Sequence, residues 1–408
     1  MTAKPHAELR DLYHFGEERQ RAVRLLGAIG VVGLLLGVIF SLFDAEGLRR
    51  FAFTYLVSYT YFLSLGLGAL CLVLVSHLTR AGWNVVWRRL AEIMGATLPC
   101  WGLMFLPILG FLLFGGGMLF HWNDPEVVRN DPLIQEKVPY LNAGFFTVRA
   151  AIYLTVWAWL GSYYYRNSRL QDRSGEKELT LRMQKWSGPA LILFGFTVTF
   201  ASFDWMMSLD AHWFSTIVGV YFFGGSAMGA IAALILAAQF LQHRGLLKES
   251  ITVEHYHDLG KLLFGFVFFW GYIAFSQYML IWYANIPEET QWFLVRQTGG
   301  WAGISLILLV GHFLLPFAGL MSRHVRRHRM LLAGWSAWLL VMHWLDLYWL
   351  IMPQLSKGAG PSFGLVDLCC LIGLGCLYAS TVLWATGDHA LIAVRDPRLA
   401  ESLAFKNL

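Results

Sequence analysis

Residues 331–352 read LLAGWSAWLLVMHWLDLYWLIM, an apolar run interrupted by His343 and, three residues later, Asp346. As a helix this run is long enough to cross roughly 30 Å of hydrocarbon. An ionisable group at the centre of such a span costs roughly 2.5–3.5 kcal/mol on insertion scales, which marks it as a candidate functional site. The pair shares a helix face, where a carboxylate beside an imidazole can hold its tautomer or pass a proton. A satisfied buried hydrogen bond is the plainer reading.

The rest of the chain has the same character. It is 57% hydrophobic and only 14% charged, against about 25% charged in soluble domains, and its mean hydropathy is +0.53. Ten apolar segments stand out, near 25–43, 52–76, 91–114, 144–165, 187–208, 213–240, 259–284, 297–321, 331–352 and 362–385. Lipid-exposed backbone must satisfy its own hydrogen bonds, so all ten are expected to be helices. The expected fold is an all-α polytopic membrane protein of ten transmembrane helices. A polar segment, 1–24, precedes the membrane domain, 25–385, and a tail, 386–408, follows it.

Loop charges orient the spans. With the N-terminus cytoplasmic, 23 of the 31 Lys and Arg residues lie on the cytoplasmic side and 7 outside, with Lys261 inside a span. That bias places both termini in the cytoplasm. The basic loop Arg323–Arg329 reads as positive-inside punctuation, with anionic lipid contact as the alternative. The net charge of +5 is spread over short loops, which argues against nucleic acid. No cleavable signal is visible in Met1–Arg24, so the first span acts as the insertion signal. Cys71, Cys100, Cys369, Cys370 and Cys376 fall in or near spans without C-x-x-C spacing, which suits packing rather than iron–sulfur ligation. The outer segment Gly115–Ala143, with His121-Trp122-Asn123-Asp124-Pro125 and Asp131-Pro132, reads as a structured cap.

A weak internal repeat is visible. Span five ends Phe203-Asp204-Trp205, and span nine ends His343-Trp344-Leu345-Asp346, each the fourth helix of a set. Two four-helix bundles, near 52–208 and 213–352, with two flanking helices fit this pattern. Asp204, Asp346 and Asp367 lie about 6, 10 and 7 Å from the outer ends of their spans. Placed together, they could share protons as an exit half-channel; separate hydrogen-bonded helix ends are the alternative. On the inner side, Asp258 and Lys261 open span seven, and Gly265, Tyr272, Ser276 and Gln277 continue roughly one face for about 24 Å. That is a polar stripe toward mid-membrane, unless Lys261 snorkels and the others are interhelical glue. His312 and His343 are deep enough to suggest a bis-His haem, but Trp338, Trp344 and Phe313 crowd the region. Gly33-x-x-x-Gly37, Gly225-x-x-x-Gly229, Gly373 and Gly375 signal close helix packing. Walker, dinucleotide and zincin motifs are absent from the sequence.

Several stretches carry a family likeness: Phe203-Asp204-Trp205-Met206-Met207-Ser208-Leu209-Asp210, His212-Trp213-Phe214-Ser215-Thr216, Val220-Tyr221-Phe222-Phe223-Gly224-Gly225, Asp258-Leu259-Gly260-Lys261-Leu262-Leu263-Phe264, and the run from Trp270 to Glu289. They resemble the NrfD-like (polysulfide reductase membrane subunit) family. Within that family they are most similar to the smaller NrfD-like subunits of bacterial alternative complex III, and the likeness is densest over 186–350. The resemblance implies an inner (cytoplasmic) membrane subunit of a quinol:cytochrome c oxidoreductase in a respiratory or photosynthetic chain. It implies a core of two four-helix bundles and no cofactor in this chain. Iron–sulfur clusters and haem c belong to an iron–sulfur subunit and multihaem cytochrome c subunits. Menaquinol or ubiquinol sits at the neighbouring, larger NrfD-like subunit. The smaller subunit offers polar half-channels for protons; the matched positions are Asp204, Asp258, Lys261, Tyr272, Ser276 and Gln277. His312, His343, Asp346 and Asp367 join them on physical grounds alone.

A quinol site in this chain would want a His or acid in the outer half of spans two to four. Those spans offer Tyr55, Ser58, Tyr59 and Tyr61 there, while His77 and Glu92 lie near the inner side. The competing functions are direct quinol binding near Asp204 or Tyr59 and a free-standing secondary transporter. The latter wants broken helices at matching mid-span positions, and none is evident.

Overall fold

The structure, a computed structural model, describes residues 14–16, 18–356 and 360–407. Ten of its helices are long and apolar enough to cross a membrane: α1 Glu18–Ser41, α2 Leu48–Leu78, α3 Val85–Phe114, α4 Ala143–Ser174, α5 Lys177–Leu209, α6 Val218–His243, α7 Val253–Ala284, α8 Gly299–Met321, α9 Arg329–Ser356 and α10 Leu365–Thr386. There is no strand among the described residues. The chain is therefore an all-α, multi-pass membrane protein.

Local chemistry sets the helix ends. Asn142 caps α4 by accepting from the Phe145 N–H at 2.8 Å, and α4 ends on Gly175 in the left-handed region, φ 73°. Helix α5 starts two residues later, so most of the expected basic loop 166–186 is helical. Its arginines and lysines are good helix formers that reach water from the ends of long side chains. Outside the spans, Asp124 and Asp131 cap two short proline-led helices, Pro125–Asn130 and Pro132–Lys137, within the expected cap.

Two spans are irregular. Helix α3 is built of three pieces, Val85–Gly95, Leu98–Leu103 and Leu106–Phe114, with a proline in the first turn of the second and third. It also begins six residues before the expected 91, which brings Arg88 and Arg89 inside it. Helix α8 contains a π-helical turn over Leu308–Leu314. These interruptions fall in the second helix of one set and the third of the other, so they do not match in the manner of a transporter repeat.

Burial ranks the helices. In the most apolar stretch of α2, 83% of residues are buried, and in α6 72%, against 11% in α1. The two central helices pack on one another; a Cβ at Gly68 would lie 2.1 Å from the Ser226 carbonyl oxygen. Helix α2 contacts α3 and α5, and α4 contacts both α3 and α5. Helix α6 contacts α7 and α9, with α8 against both. Helices α1 and α10 pair closely and lean on α2. A Cβ at Gly33 would come within 3.0 Å of the Gly373 Cα, in keeping with the glycine spacing. Arg19, near the start of α1, pairs at 3.0 Å with Asp388, just past α10, so both described ends lie on one side, here the near end. The tail folds back there: His255 Nε2 lies 3.0 Å from the Ser402 carbonyl oxygen, and the Asn407 side-chain amide donates to the Glu254 carbonyl at 3.1 Å.

Candidate functional site

Helix α9 presents its two ionisable residues to different neighbours. Asp346, 1% exposed, accepts from the Tyr221 hydroxyl of α6 and from the Trp270 indole N–H of α7 at 3.1 Å. No Lys, Arg or His forms an ion pair with it among the described residues. His343 turns toward the α2–α6 seam, its Nε2 2.8 Å from Ser64 Oγ. Gly225 and Gly229 make room for the ring: a Cβ at either would lie 2.7 or 3.0 Å from an imidazole carbon. His343 Nδ1 has no partner. The sequence expectation of a His343–Asp346 hydrogen bond is therefore corrected. Three residues advance the helix by about 300°, and the two side chains diverge from that common face into separate seams.

His312 completes the group. It lies on the π-helical turn of α8 and is wholly buried, with both ring nitrogens unpartnered. Its ring stands 4.0 Å, centroid to centroid, from Trp270, the residue that donates to Asp346. A π turn shifts the side chains after it relative to the helix before it, and such turns gather at functional sites. Buried imidazole nitrogens without partners are rare enough to call for an explanation. The α6–α9 half thus holds Asp346 and His312 against the same Trp270 side chain, while His343 turns to Ser64 of α2.

The other two carboxylates at the far end are held differently. Asp204 is clamped by Arg149 of α4, Nε to Oδ2 at 2.8 Å and Nη2 to Oδ1 at 2.9 Å, and accepts from Tyr153 at 2.9 Å. The guanidinium lies over the rings of Tyr140 and Phe145 at 3.9 and 4.3 Å. Asp367 pairs with Arg50 at 2.6 Å, accepts from Thr54 Oγ1 at 3.0 Å, and takes the Gly364 N–H at 2.8 Å as a helix cap. No hydrogen bond joins Asp204, Asp346 and Asp367 among the described residues. The expectation that the three share protons as one cluster is corrected: equal depth on separate helices did not bring them together.

The α7 stripe also reads differently. Leu259, Leu263, Val267 and Trp270, three or four apart, form its buried face, while Lys261, Gly265 and Tyr272 fall on the exposed one. Tyr272 is 57% exposed. Lys261 pairs with Asp258 and reaches Asn407 Oδ1 at 2.8 Å. Gln277 accepts from Ser215 Oγ at 2.6 Å, and Ser276 is half-buried beside it. Lys261, Gly265 and Tyr272 thus lie on the outside of the chain, with Ser276 and Gln277 half-buried, because an apolar helix hides which side faces in.

Several buried ions lie where loop charges were counted. Arg88 and Arg89 share Glu92 at 3.1 and 3.0 Å, and they also pair with Asp396 at 2.5 Å and Asp172 at 2.8 Å. The one sequence signal for this near-end network is the Arg-Arg-x-x-Glu spacing, with i,i+3 and i,i+4 partners.

A cavity of about 450 Å³ opens beside Asp346. Tyr221 and Trp270, its two hydrogen-bond donors, form part of the wall, with Trp213, Trp292, Phe313 and Arg296. Trp213 and Trp292 are stacked at 4.2 Å. This volume falls in the range of small-molecule sites. No family model matches the chain, and no curated protein matches it at a significant level.

Proposed function

We propose that this chain is a non-redox core subunit of a quinol:cytochrome c oxidoreductase of the alternative complex III type, in a bacterial inner membrane. Its α6–α9 half lends buried polar groups to proton transfer. The observation that carries the reading is Asp346: a carboxyl enclosed in an apolar helix bundle, held by a hydroxyl and an indole, with no ion pair to a cation among the described residues. Such a group can take up and release a proton without breaking an ion pair. His312, with both ring nitrogens unpartnered among the described residues, stands against Trp270 on the same side of the bundle and is the next polar group beside Asp346.

The likeness over 186–350 motivates the choice of complex. Contacts among α2–α5 and among α6–α9, with α1 and α10 outside, support two four-helix bundles and two flanking helices. The loop-charge bias supports cytoplasmic termini, with the near end inside. Partners in this reading are a second NrfD-like subunit that holds menaquinol or ubiquinol, an iron–sulfur subunit and multihaem cytochrome c subunits. The chain is not catalytic alone. In the α2–α5 half, the Tyr55 and Tyr59 hydroxyls donate to the carbonyls of Met104 and Trp101 at 2.7 and 3.1 Å, and both side chains are packed inside the bundle.

The test is Asp346→Asn in the purified complex, with quinol oxidation and proton release followed together. A positioned proton carrier contributes roughly a hundredfold or more, so a large drop in proton release per turnover is expected. Wild-type values of both would reduce the chain to a scaffold.

A further inference from the structure

We infer that the cavity beside Arg296 binds the head of an anionic amphiphile, a carboxylate or phosphodiester, whose apolar tail leaves between α7 and α8. Arg296 is 1% exposed and lines the cavity. Three of its five N–H groups go to backbone carbonyls, those of Trp349 at 3.3 Å, Trp292 at 2.9 Å and Leu350 at 2.9 Å. No carboxylate pairs with it among the described residues. Asp210 acts on it only through space, and its carboxylate is taken by the Gln354 side-chain amide at 2.9 Å. Burial pushes the guanidinium down to about 9, the direction expected of a cation without a counter-ion.

The other half of the chain shows what is missing. Arg149, early in α4, also sits among aromatic rings against the fourth helix of its set, and there Asp204 meets it with both oxygens. Arg296, just before α8, lies 3.4 Å from the Trp292 ring centroid and 5.2 Å from that of Trp349. It faces open volume where Arg149 faces a carboxylate. A buried charge is held at a large cost unless paired, and a planar guanidinium with N–H groups to spare suits an oxyanion.

The remainder of the cavity fits a tail. Phe268, Phe275 and Leu309 line it and are all more than half exposed on the outer surface. Helix α7 packs on the 308–321 part of α8, and the short helix Pro287–Gln297 bridges α7 and Gly299–Ile307, so the lipid-facing side of the cavity is the one walled by Phe268, Phe275 and Leu309. This inference is independent of the proton role of Asp346.

The experiment uses the full chain purified with whatever partners it retains, loaded with phosphatidylglycerol, phosphatidylcholine or palmitate and read by native mass spectrometry. One retained phosphatidylglycerol or palmitate is expected, the two arms separating phosphodiester from carboxylate, with phosphatidylcholine lost. Arg296→Gln is expected to lower retention at least tenfold. Ala274→Trp, which fills the cavity from α7 without touching Arg296, is expected to do the same and decides the matter if Arg296→Gln does not fold. Equal retention of phosphatidylcholine, no retention, a quinone in place of the anion, or retention unchanged in Ala274→Trp overturns the inference.

Discussion

Asp204 and Asp346 end the fourth helices of the two sets and are buried to the same degree, yet their surroundings are opposite. Asp204 faces a guanidinium with two ion-pair bonds and a tyrosine. Among the described residues, Asp346 has a tyrosine and an indole as its hydrogen-bond partners and no ion pair. The first arrangement ties the carboxylate to a fixed counter-charge, so removal of either partner strands the other in an apolar interior. The second stabilises the carboxylate by two neutral donors, so gain of a proton strands no partner charge. Depth in the membrane therefore does not distinguish a strut from a proton carrier; the presence of a fixed counter-charge does.

The sharpest way to break the contrast is to remove one acid at a time. Asp204→Asn leaves Arg149 buried without its partner, and breaking such a pair costs about 3–5 kcal/mol. Loss of folded yield and a much lower unfolding temperature in detergent are expected. Replacing the pair together, Arg149→Met with Asp204→Leu, should recover most of that loss, because apolar groups of similar volume substitute well for a buried ion pair. A double variant as unstable as the single one would show that Asp204 does more than balance Arg149. At the other site, Asp346→Asn keeps the shape: its one amide oxygen can accept from Trp270 while its NH2 donates to the Tyr221 oxygen. Its unfolding temperature should stay near wild type while proton release falls. The reverse pattern, a collapsed fold with normal coupling, would erase the distinction between the halves.

How far the sequence reaches follows from the same chemistry. Ten spans were legible because bilayer thickness demands about 20 apolar residues in a row, a local signal. Asp346 and His343 were legible because charge inside such a run is costly. The partners were not. Arg149 and Asp204 are 55 residues apart, and Arg50 and Asp367 are 317 apart, and nothing local announces such pairs. Arg88, Arg89 and Arg296 were read as loop charges since counting cations by segment cannot tell a solvated arginine from a buried one. The face of α7 was misread for a related reason: when nearly every position is apolar, the inward side is set by neighbouring helices and leaves little periodic trace.

His312 gives a finer division between strut and carrier. A buried imidazole with two empty nitrogens contributes little to packing that an aromatic ring of similar shape could not supply. His312→Phe is expected to leave stability within about 1 kcal/mol of wild type, or to raise it, while slowing proton movement past Trp270. Unchanged proton release in a folded His312→Phe protein would remove it from the route and leave the π turn without a proton role.

The smallest expected effect is the most discriminating about Asp346 itself. Tyr221→Phe deletes one of its two donors and leaves the ring contact with Trp270, 5.6 Å between centroids, in place. A single buried hydrogen bond is worth about 1 kcal/mol net, somewhat more when the acceptor is charged. Removing the hydroxyl leaves the Trp270 indole as the one donor to Asp346 among the described residues. A loss of about 1 kcal/mol should slow proton release by roughly fivefold, far less than Asp346→Asn, as read from the rate of proton release in the complex. A loss as large as that of Asp346→Asn would show that Tyr221 itself carries the proton.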